Sequence, residues 1–261
     1  MRILGFLLSC LIAITSHAQL THRDDVHRFT IVVPKGWVES PDLLNFMNSF
    51  VKEKVADPGF EYVAAFVPES NVTDDSPYVV VQYSPLPSGG TTYEAVEAAL
   101  KAQSLQTAVE KNTEKVKDEL GKFEVGVPTL DRGTNRVYLR IHGGGEATQP
   151  DQPPSQKFDS LCVGTLTSHG IIQINSYAIE GSGVDPVAQA ETFLTGLKID
   201  EGTKFTPLTV GQAHTTGDVV KGVAKNLGKK LLQVAVIAVI VTVLALIWAF
   251  WKVGREKKQQ S

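Results

Sequence analysis

The stretch FDSLCVGTLTSHGIIQINSYAI, residues 158–179, decides the fold. Its two runs rich in apolar and β-branched residues, 158–167 and 171–179, are typical of strands. Between them, Ser168-His169-Gly170 has the composition of a tight turn. Strands joined by so short a connection pair antiparallel. The segment therefore predicts a long antiparallel hairpin around which the rest of a sheet assembles.

More strands are predicted on the N-terminal side of this hairpin. Asp131-Arg132-Gly133-Thr134 is a turn between two of them. Pro34-Lys35-Gly36 closes the first strand, because Pro34 cannot donate to a ladder and Gly36 relaxes the turn, and Trp37 is then expected to fold back on the core. These further strands are predicted at 28–33, 60–67, 78–83, 122–129 and 135–142.

Three helices are indicated by their start signals and by apolar residues at helical spacing. Ser40 is the expected cap of a helix at 41–54, with Pro41 at its first position. The segment Thr91-Thr92-Tyr93-Glu94 matches a capping box at the start of the second helix. Asp185 followed by Pro186 predicts the third, which runs through Leu197. Helices spread through a strand-rich chain predict an α+β fold, an antiparallel β-sheet covered by α-helices.

The run LLQVAVIAVIVTVLALIWAFW at 231–251 is the longest apolar segment, with Gln233 and Thr242 as its only polar residues. At about 1.5 Å per residue it extends roughly 30 Å, the thickness of a bilayer's hydrocarbon core. The alternative, a buried helix, would need apolar packing on every side, which a chain of this size rarely supplies. The segment predicts one C-terminal transmembrane helix.

The N-terminus has the pattern of a secretory signal peptide at 1–18. Arg2 precedes an apolar run of about a dozen residues, and the small residues Ser16 and Ala18 bracket a peptidase site. Cleavage is predicted after Ala18, and an uncleaved anchor is the alternative. A lipoprotein signal ending at Cys10 is disfavoured, since the apolar run continues past that cysteine.

The signal peptide also predicts the orientation of the chain. Four basic residues flank the apolar helix on each side, so the positive-inside rule is a tie. Export from the N-terminus gives a single-pass type I topology: an extracytoplasmic domain at 19–201, a tether or juxtamembrane helix at 202–230 and a cytoplasmic tail at 252–261. The residues predicted to lie at the membrane interface are Lys229, Lys230, Trp248, Trp251 and Lys252.

Charge is divided unevenly along the chain. Of 25 basic residues, nine lie in the signal and the membrane flanks, which leaves 16 for the outer domain against 26 acidic residues, a net charge of −10. An acidic domain repels phosphate backbones, so nucleic acid is not an expected partner. The expected partners are the lipid bilayer and another envelope protein.

Cys162 is the one cysteine left after signal removal, so it has no intramolecular disulfide partner. It lies within an apolar strand, which predicts a buried structural thiol in preference to a reactive one. A large exported domain without disulfides favours a bacterial envelope protein over a eukaryotic secreted one.

The run Phe29-Thr30-Ile31-Val32-Val33-Pro34-Lys35-Gly36-Trp37 resembles the opening strand and turn of PsbP-like domains, which are named for an extrinsic photosystem II subunit. Residues 193–199, FLTGLKI, resemble the closing helix of these domains and follow a similar hairpin. The helix at 41–54 and the strand at 77–82 are similar to those of bacterial envelope proteins with this opening. The resemblance spans 28–199. It implies a sheet sandwiched between helices, with binding or assembly roles and no catalysis, and no ligand residues of the family map onto this chain.

Motifs that carry chemistry are weak in this chain. His142-Gly143-Gly144-Gly145 matches the oxyanion loop of some esterases, but the nearest candidate for their serine elbow, residues 180–184, lacks the required spacing. His169 is interpreted as a turn residue. His22 and His27 flank Asp24 and Asp25, and they are interpreted as an exposed polar start. No metal or phosphate-binding motif occurs, so no metal and no cofactor are predicted.

The leading hypothesis is therefore a membrane-anchored extracytoplasmic domain for binding or assembly, without catalysis. The alternative is an envelope hydrolase whose site forms only in the fold, which would place His, Asp and Ser side chains together in one deep cleft. A third possibility, a structural anchor with no specific ligand, would show neither a cleft nor an exposed apolar patch.

Overall fold

The computed structural model describes residues 19–54, 59–69, 76–86, 91–101, 123–144 and 157–208. The predicted signal peptide, the transmembrane helix at 231–251, the tail at 252–261 and most of the tether lie outside these residues. Within the described part of the chain, no helix is both long and apolar enough to cross a bilayer.

The described chain contains strands, three α-helices and a short 3₁₀ helix at Glu201–Thr203. The helices are α1 (Pro41–Lys54), α2 (Tyr93–Lys101) and α3 (Pro186–Gly196). The strands are β1 (Thr21–Asp24), β2 (Phe29–Val32), β3 (Trp37–Glu39), β4 (Glu61–Pro68), β5 (Tyr78–Pro85), β6 (Phe123–Val125), β7 (Thr129–Asp131), β8 (Arg136–Gly143), β9 (Phe158–Leu166), β10 (Gly170–Ile179) and β11 (Leu197–Ile199).

The main sheet is antiparallel throughout and has the order β3-β4-β5-β10-β9-β8-β6, with β7 also paired to β8. The predicted hairpin is confirmed, because β10 pairs with β9 from Ile171 opposite Leu166 to Ile179 opposite Phe158. This hairpin lies at the centre of the sheet, and every residue of β10 is buried.

Helices cover both faces of this sheet. Ile171 and Ile172 are consecutive in β10 and so point to opposite faces. Ile172 belongs to a core cluster that includes Phe193 and Leu194 of α3, whereas Ile171 packs in a cluster with Val96 of α2. The mixed α/β class with an antiparallel sheet is thus confirmed for the described residues.

A second sheet of three strands, in the order β1-β2-β11, completes the core. Its central strand contributes Phe29 and Ile31, which are fully buried in the cluster that contains Phe193. Trp37 packs against this cluster as predicted, with its ring edge-on to Phe193 at a centroid distance of 5.3 Å. Burying one such aromatic ring stabilises the fold by about 1.5–3 kcal/mol.

The prediction that the last helix runs through Leu197 is wrong. Helix α3 ends at Gly196, and Leu197–Ile199 forms β11 against β2. The cause is the close approach at Gly196, where an added Cβ would lie 2.3 Å from the Val32 carbonyl oxygen. The chain can pass this close to β2 only without a side chain, and its next three residues pair with that strand.

Two further corrections concern local signals. The single strand predicted at 122–129 is two short strands, β6 and β7, both paired with β8. The cap of α2 is Thr92 and not Thr91, because the Thr92 hydroxyl accepts from the Ala95 amide at 3.1 Å. The caps predicted for the other two helices are confirmed: Ser40 accepts from the Leu43 amide and Asp185 from the Val187 amide.

The chain stays in contact with the sheet beyond the predicted start of the tether at residue 202. Thr203 and Phe205 are buried, and Lys204 forms a β-bridge with Thr167. The Leu208 amide donates to the Thr91 carbonyl at 2.9 Å. The packed part of the domain therefore extends to Leu208.

Cys162 is a buried free thiol, as predicted. It lies in the middle of β9, opposite Asn175 of β10. Burial raises the pKa of its thiol to about 12, although a hydrogen bond with Ser160 acts in the opposite direction. A thiol with this pKa is not a nucleophile at neutral pH.

Candidate binding cleft

A cleft of about 740 Å³ opens where the ends of β8, β9 and β10 meet the start of α3. The register brings these residues together: Gly143 lies opposite Phe158, which in turn lies opposite Ile179. Ala178, which lies opposite Asp159 on the α3 side of the sheet, and Pro186 are buried and give the cleft an apolar floor. The wall on the α3 side is the turn at 180–185, in which Gly181 and Gly183 have positive φ.

Charged side chains surround this floor, and they occur in pairs. Asp159 accepts from Arg140 Nε through Oδ1, at 3.3 Å, and from Arg140 Nη2 through Oδ2, and its Oδ1 lies 3.1 Å from His142 Nδ1. The hydrogen bonds with the Asp159 carboxylate raise the pKa of Arg140.

A second ion pair lies on the opposite rim. Lys157 Nζ is 3.4 Å from Glu180 Oε2, and both side chains are well exposed. The Glu180 amide donates to the Lys157 carbonyl at 2.8 Å, which holds the two residues side by side just beyond the ends of β9 and β10. Asp185 is engaged in capping α3. Side chains of both charges therefore form the rim of the cleft around its apolar centre.

The His142-Gly143-Gly144 segment does not form an oxyanion loop. Gly143 is the last residue of β8, paired with both Phe158 and Phe123. The described residues that line the cleft include no Ser, Thr or Cys. Ser182, in the turn beside it, accepts from the Val184 amide at 3.4 Å. The His142–Asp159 pair therefore has no hydroxyl or thiol to activate among the described residues of the cleft.

The two N-terminal histidines differ from the exposed polar start that was predicted. The side chains of His22 and His27 are only 13 % and 8 % exposed. His27 Nδ1 lies 2.7 Å from Asp24 Oδ2, its Nε2 lies 3.1 Å from Glu61 Oε1, and its ring stacks on Tyr83 at 3.8 Å.

His27 thus links the β1–β2 turn of the small sheet to β4 and β5 of the main sheet. His22 Nδ1 lies 3.1 Å from Glu39 Oε1 and its ring packs near Phe29 and Phe66. Among the described residues, no group of His, Cys, Asp and Glu side chains could hold a metal ion. These histidines join elements of the fold.

The remaining predicted positions are partly outside the described chain. His169 is in the β9–β10 turn, as predicted. Its side chain is exposed, and its carbonyl accepts from the Tyr83 hydroxyl at 3.1 Å. The residues predicted at the membrane interface lie outside the part of the chain that the structure describes: Lys229, Lys230, Trp248, Trp251 and Lys252. The cleft itself carries no sequence signal, since its lining comes from strand ends that only the register brings together.

Comparisons with known proteins give distant structural similarities. No family model matches the chain, and no curated protein matches it. The solution structure of cyanobacterial PsbP (CyanoP) from Synechocystis sp. PCC 6803 is 14 % identical, with a TM-score of 0.40, and the match covers 72 % of this chain and 96 % of that one.

The Ran-binding protein Mog1p of Saccharomyces cerevisiae is 12 % identical, with a TM-score of 0.37, and the match covers 69 % of this chain and 95 % of that one. A PsbP structure is thus among those that the chain resembles. Similarity at this level assigns the chain to no family and transfers nothing from the function of either protein.

Proposed function

We propose that this protein is a single-pass membrane protein whose domain outside the cytoplasm binds a polypeptide partner in the cleft at the ends of β8, β9 and β10. The observation that carries the proposal is the architecture of that cleft, an apolar floor at Ala178 and Pro186 within a rim of paired charges. Protein-binding surfaces have this arrangement of an apolar centre and a polar rim.

Binding is favoured over catalysis by the partners that the rim residues already have. Asp159 is held by Arg140 and His142, and Asp185 caps α3, so neither carboxylate is poised as a general base. The hydrolase alternative is supported by one observation, the His142–Asp159 pair, which resembles the orienting half of a catalytic triad. It lacks a nucleophile among the described residues of the cleft.

The membrane anchor and the orientation rest on the sequence, on the apolar run at 231–251 and the signal pattern at 1–18. The net charge of −10 in the outer domain favours a polypeptide over a nucleic acid as the ligand.

A photoreactive residue at Glu180 tests the site in the full-length protein in its own membrane. We expect ultraviolet light to crosslink it to one discrete polypeptide. The control is the same residue at Val26, which is 83 % exposed on the β1–β2 turn and distant from the cleft. Equal products from both positions, or none from Glu180, would show that the cleft is not the binding site.

Charge reversal then asks whether the rim itself is recognised. The double variant Lys157→Glu/Glu180→Lys keeps an ion pair between these neighbours and inverts the charges that they present. We expect the domain to fold as before and the crosslink from another position that lines the cleft, such as Val184, to fall several-fold. An unchanged crosslinking yield would mean that the charges of residues 157 and 180 do not contribute to binding of the partner.

A further inference from the structure

We infer that the cleft is the membrane-distal pole of the domain and that its partner is a water-soluble protein or domain, not a segment embedded beside the anchor. The inference rests on the proposed membrane anchorage and on the cleft as the binding site. It adds the direction in which the cleft faces and the kind of partner that this direction admits.

The first step is the length of the β9–β10 hairpin, which runs along the domain from end to end. Strand β9 has nine residues and β10 has ten. At about 3.3 Å per residue, the turn and the open end of the hairpin are separated by roughly 30 Å.

The second step places the exit of the chain at the turn end. The Ser168 amide donates to the Thr203 carbonyl at 2.9 Å, and Lys204 bridges to Thr167. The Leu208 amide is bound to the Thr91 carbonyl at the start of α2. The last described residues before the predicted anchor are thus fixed at the pole that carries the hairpin turn.

The third step places the cleft at the opposite pole. It lies at the level of the last pair of the hairpin, Phe158 opposite Ile179, and its rim includes Lys157 and Glu180 just beyond that pair. The exit of the chain and the cleft therefore lie at opposite ends of the same two strands.

Charge keeps the domain as a whole away from the headgroups, and the pole that faces the bilayer is the one at which the chain leaves the domain. The domain has a net charge of −10, whereas Lys221, Lys225, Lys229 and Lys230 precede the apolar helix. Anionic headgroups attract the basic segment and repel the acidic domain within about a Debye length, roughly 8–10 Å.

The consequence concerns the partner. When the pole at which the chain leaves the domain faces the membrane, the cleft lies about 30 Å further from the headgroups than that pole does. Juxtamembrane segments of neighbouring membrane proteins do not reach that distance without a folded domain of their own. The cleft is placed to receive a soluble protein, or the soluble domain of one.

Energy transfer to labelled lipids tests this orientation. Single cysteines at Ser168, in the turn, and at Glu180, on the cleft rim, carry the donor in the full-length protein in vesicles with acceptor-labelled headgroups. Cys162 is buried with a pKa of about 12 and does not compete for the label. Several-fold more transfer from the Ser168 probe than from the Glu180 probe is expected.

Equal transfer from the two probes, or more from the Glu180 probe, would overturn the inference while leaving the anchor and the crosslinked partner standing. The absence of transfer from both would overturn it together with the proposed membrane anchorage. Failure of the cleft crosslink with the expected transfer ratio would instead refute the proposed binding site. Identification of the crosslinked polypeptide as a membrane-embedded segment would refute the soluble partner.

Discussion

The contact of His27 with two carboxylates shows how single residues hold the two sheets together. Asp24 accepts from both the ring and the backbone amide of His27, and Glu61 faces the other ring nitrogen. The side chains of His27 and Asp24 are almost entirely buried, so these hydrogen bonds are shielded from water and salt. Among the described residues, this is where the β1–β2 turn is tied to β4.

Substituting Asp24→Asn is expected to destabilise the domain in a pH-dependent way. Burial opposes ionisation of Asp24, but the hydrogen bonds from His27 outweigh it and the pKa of the carboxyl falls below its ordinary 3.8. The stabilisation is therefore present above pH 3.8 and is lost as the pH falls through the lowered pKa. We expect a loss of about 1–3 kcal/mol at pH 7, measured by denaturant unfolding, which shrinks below about pH 4.

The matched control is Asp25→Asn, whose side chain is 85 % exposed and accepts from Nε of the surface residue Arg23 at 2.8 Å. Its expected effect at pH 7 is below about 1 kcal/mol. A loss for Asp24→Asn that does not change between pH 7 and pH 3 would contradict the account, since the variant would then have lost something other than ionised Asp24.

The thiol of Cys162 is expected to be inert in the folded protein. With a pKa of about 12, about one thiol in 10⁴ is ionised at pH 8, and burial blocks access. A thiol reagent should label the native protein slowly and the denatured protein quickly. Denatured protein should yield one thiol if the signal with Cys10 has been removed, and two if it has not. The Ser168→Cys variant is the positive control, and labelling of the wild type as rapid as in this variant would refute a buried thiol.

At the level of elements, β11 depends on the absence of a side chain at Gly196. A Cβ there would lie 2.3 Å from the Val32 carbonyl oxygen, which is backbone and cannot move aside. We expect Gly196→Ala to separate β11 from β2 and to cost about 1–3 kcal/mol, as overpacking does. Denaturant unfolding measures the loss, and hydrogen exchange at Leu197 and Ile199 reports it locally.

Gly202→Ala is the control for this change. Residue 202 lies six positions further on, and a Cβ there meets no atom within 4 Å. We expect its stability to stay within about 0.5 kcal/mol of the wild type. If the two alanine variants behaved alike, the close approach would not be what ends α3.

The elements that the sequence predicted are those whose signals are local. The hairpin at 158–179 has long apolar strands and a turn, and α1 and α3 have a cap next to a proline, so each is determined by its own residues. The strands β1, β3 and β11 have only three or four residues each and are half-exposed. Strand β1 depends on pairing with its neighbour β2, whereas β3 and β11 exist because strands distant in sequence, β4 and β2, pair with them.

The prediction of a single strand at 122–129 was wrong for a related reason. Gly126 and Pro128 interrupt it, yet the Gly126 amide still donates to the Arg140 carbonyl, so both halves stay attached to β8. A prediction from local composition detects one extended segment here. It does not detect where its pairing with β8 breaks and resumes.

For the whole molecule, the orientation in the membrane remains a prediction with a direct measurement. A green fluorescent reporter fused after Ser261 is expected to be active, and a reporter that needs export is expected to be inactive at the same point. Fused after Leu208, the export-dependent reporter should be active. The reverse pattern would invert the topology and remove the basis for an extracytoplasmic partner.

The candidate cleft is a property of the whole molecule, and for that reason it could not be predicted from the sequence. Asp159, Glu180 and Asp185 have no motif in common, and their approach follows from the register of β8, β9 and β10 and the turn before α3. Composition predicted the acidic character of the domain. It does not locate a surface that is built from the ends of separate strands.

The three-stranded sheet has a consequence for the order of events at the ribosome. Strand β2 finds one neighbour in β1, but its other neighbour is β11, at the far end of the domain. At about 5–20 residues per second, the nascent chain waits roughly 10–30 s between emergence of the two. Until then Phe29 and Ile31 lack the packing that Phe193 provides. A chaperone that shields the first fifty residues during that interval should raise the yield of native protein.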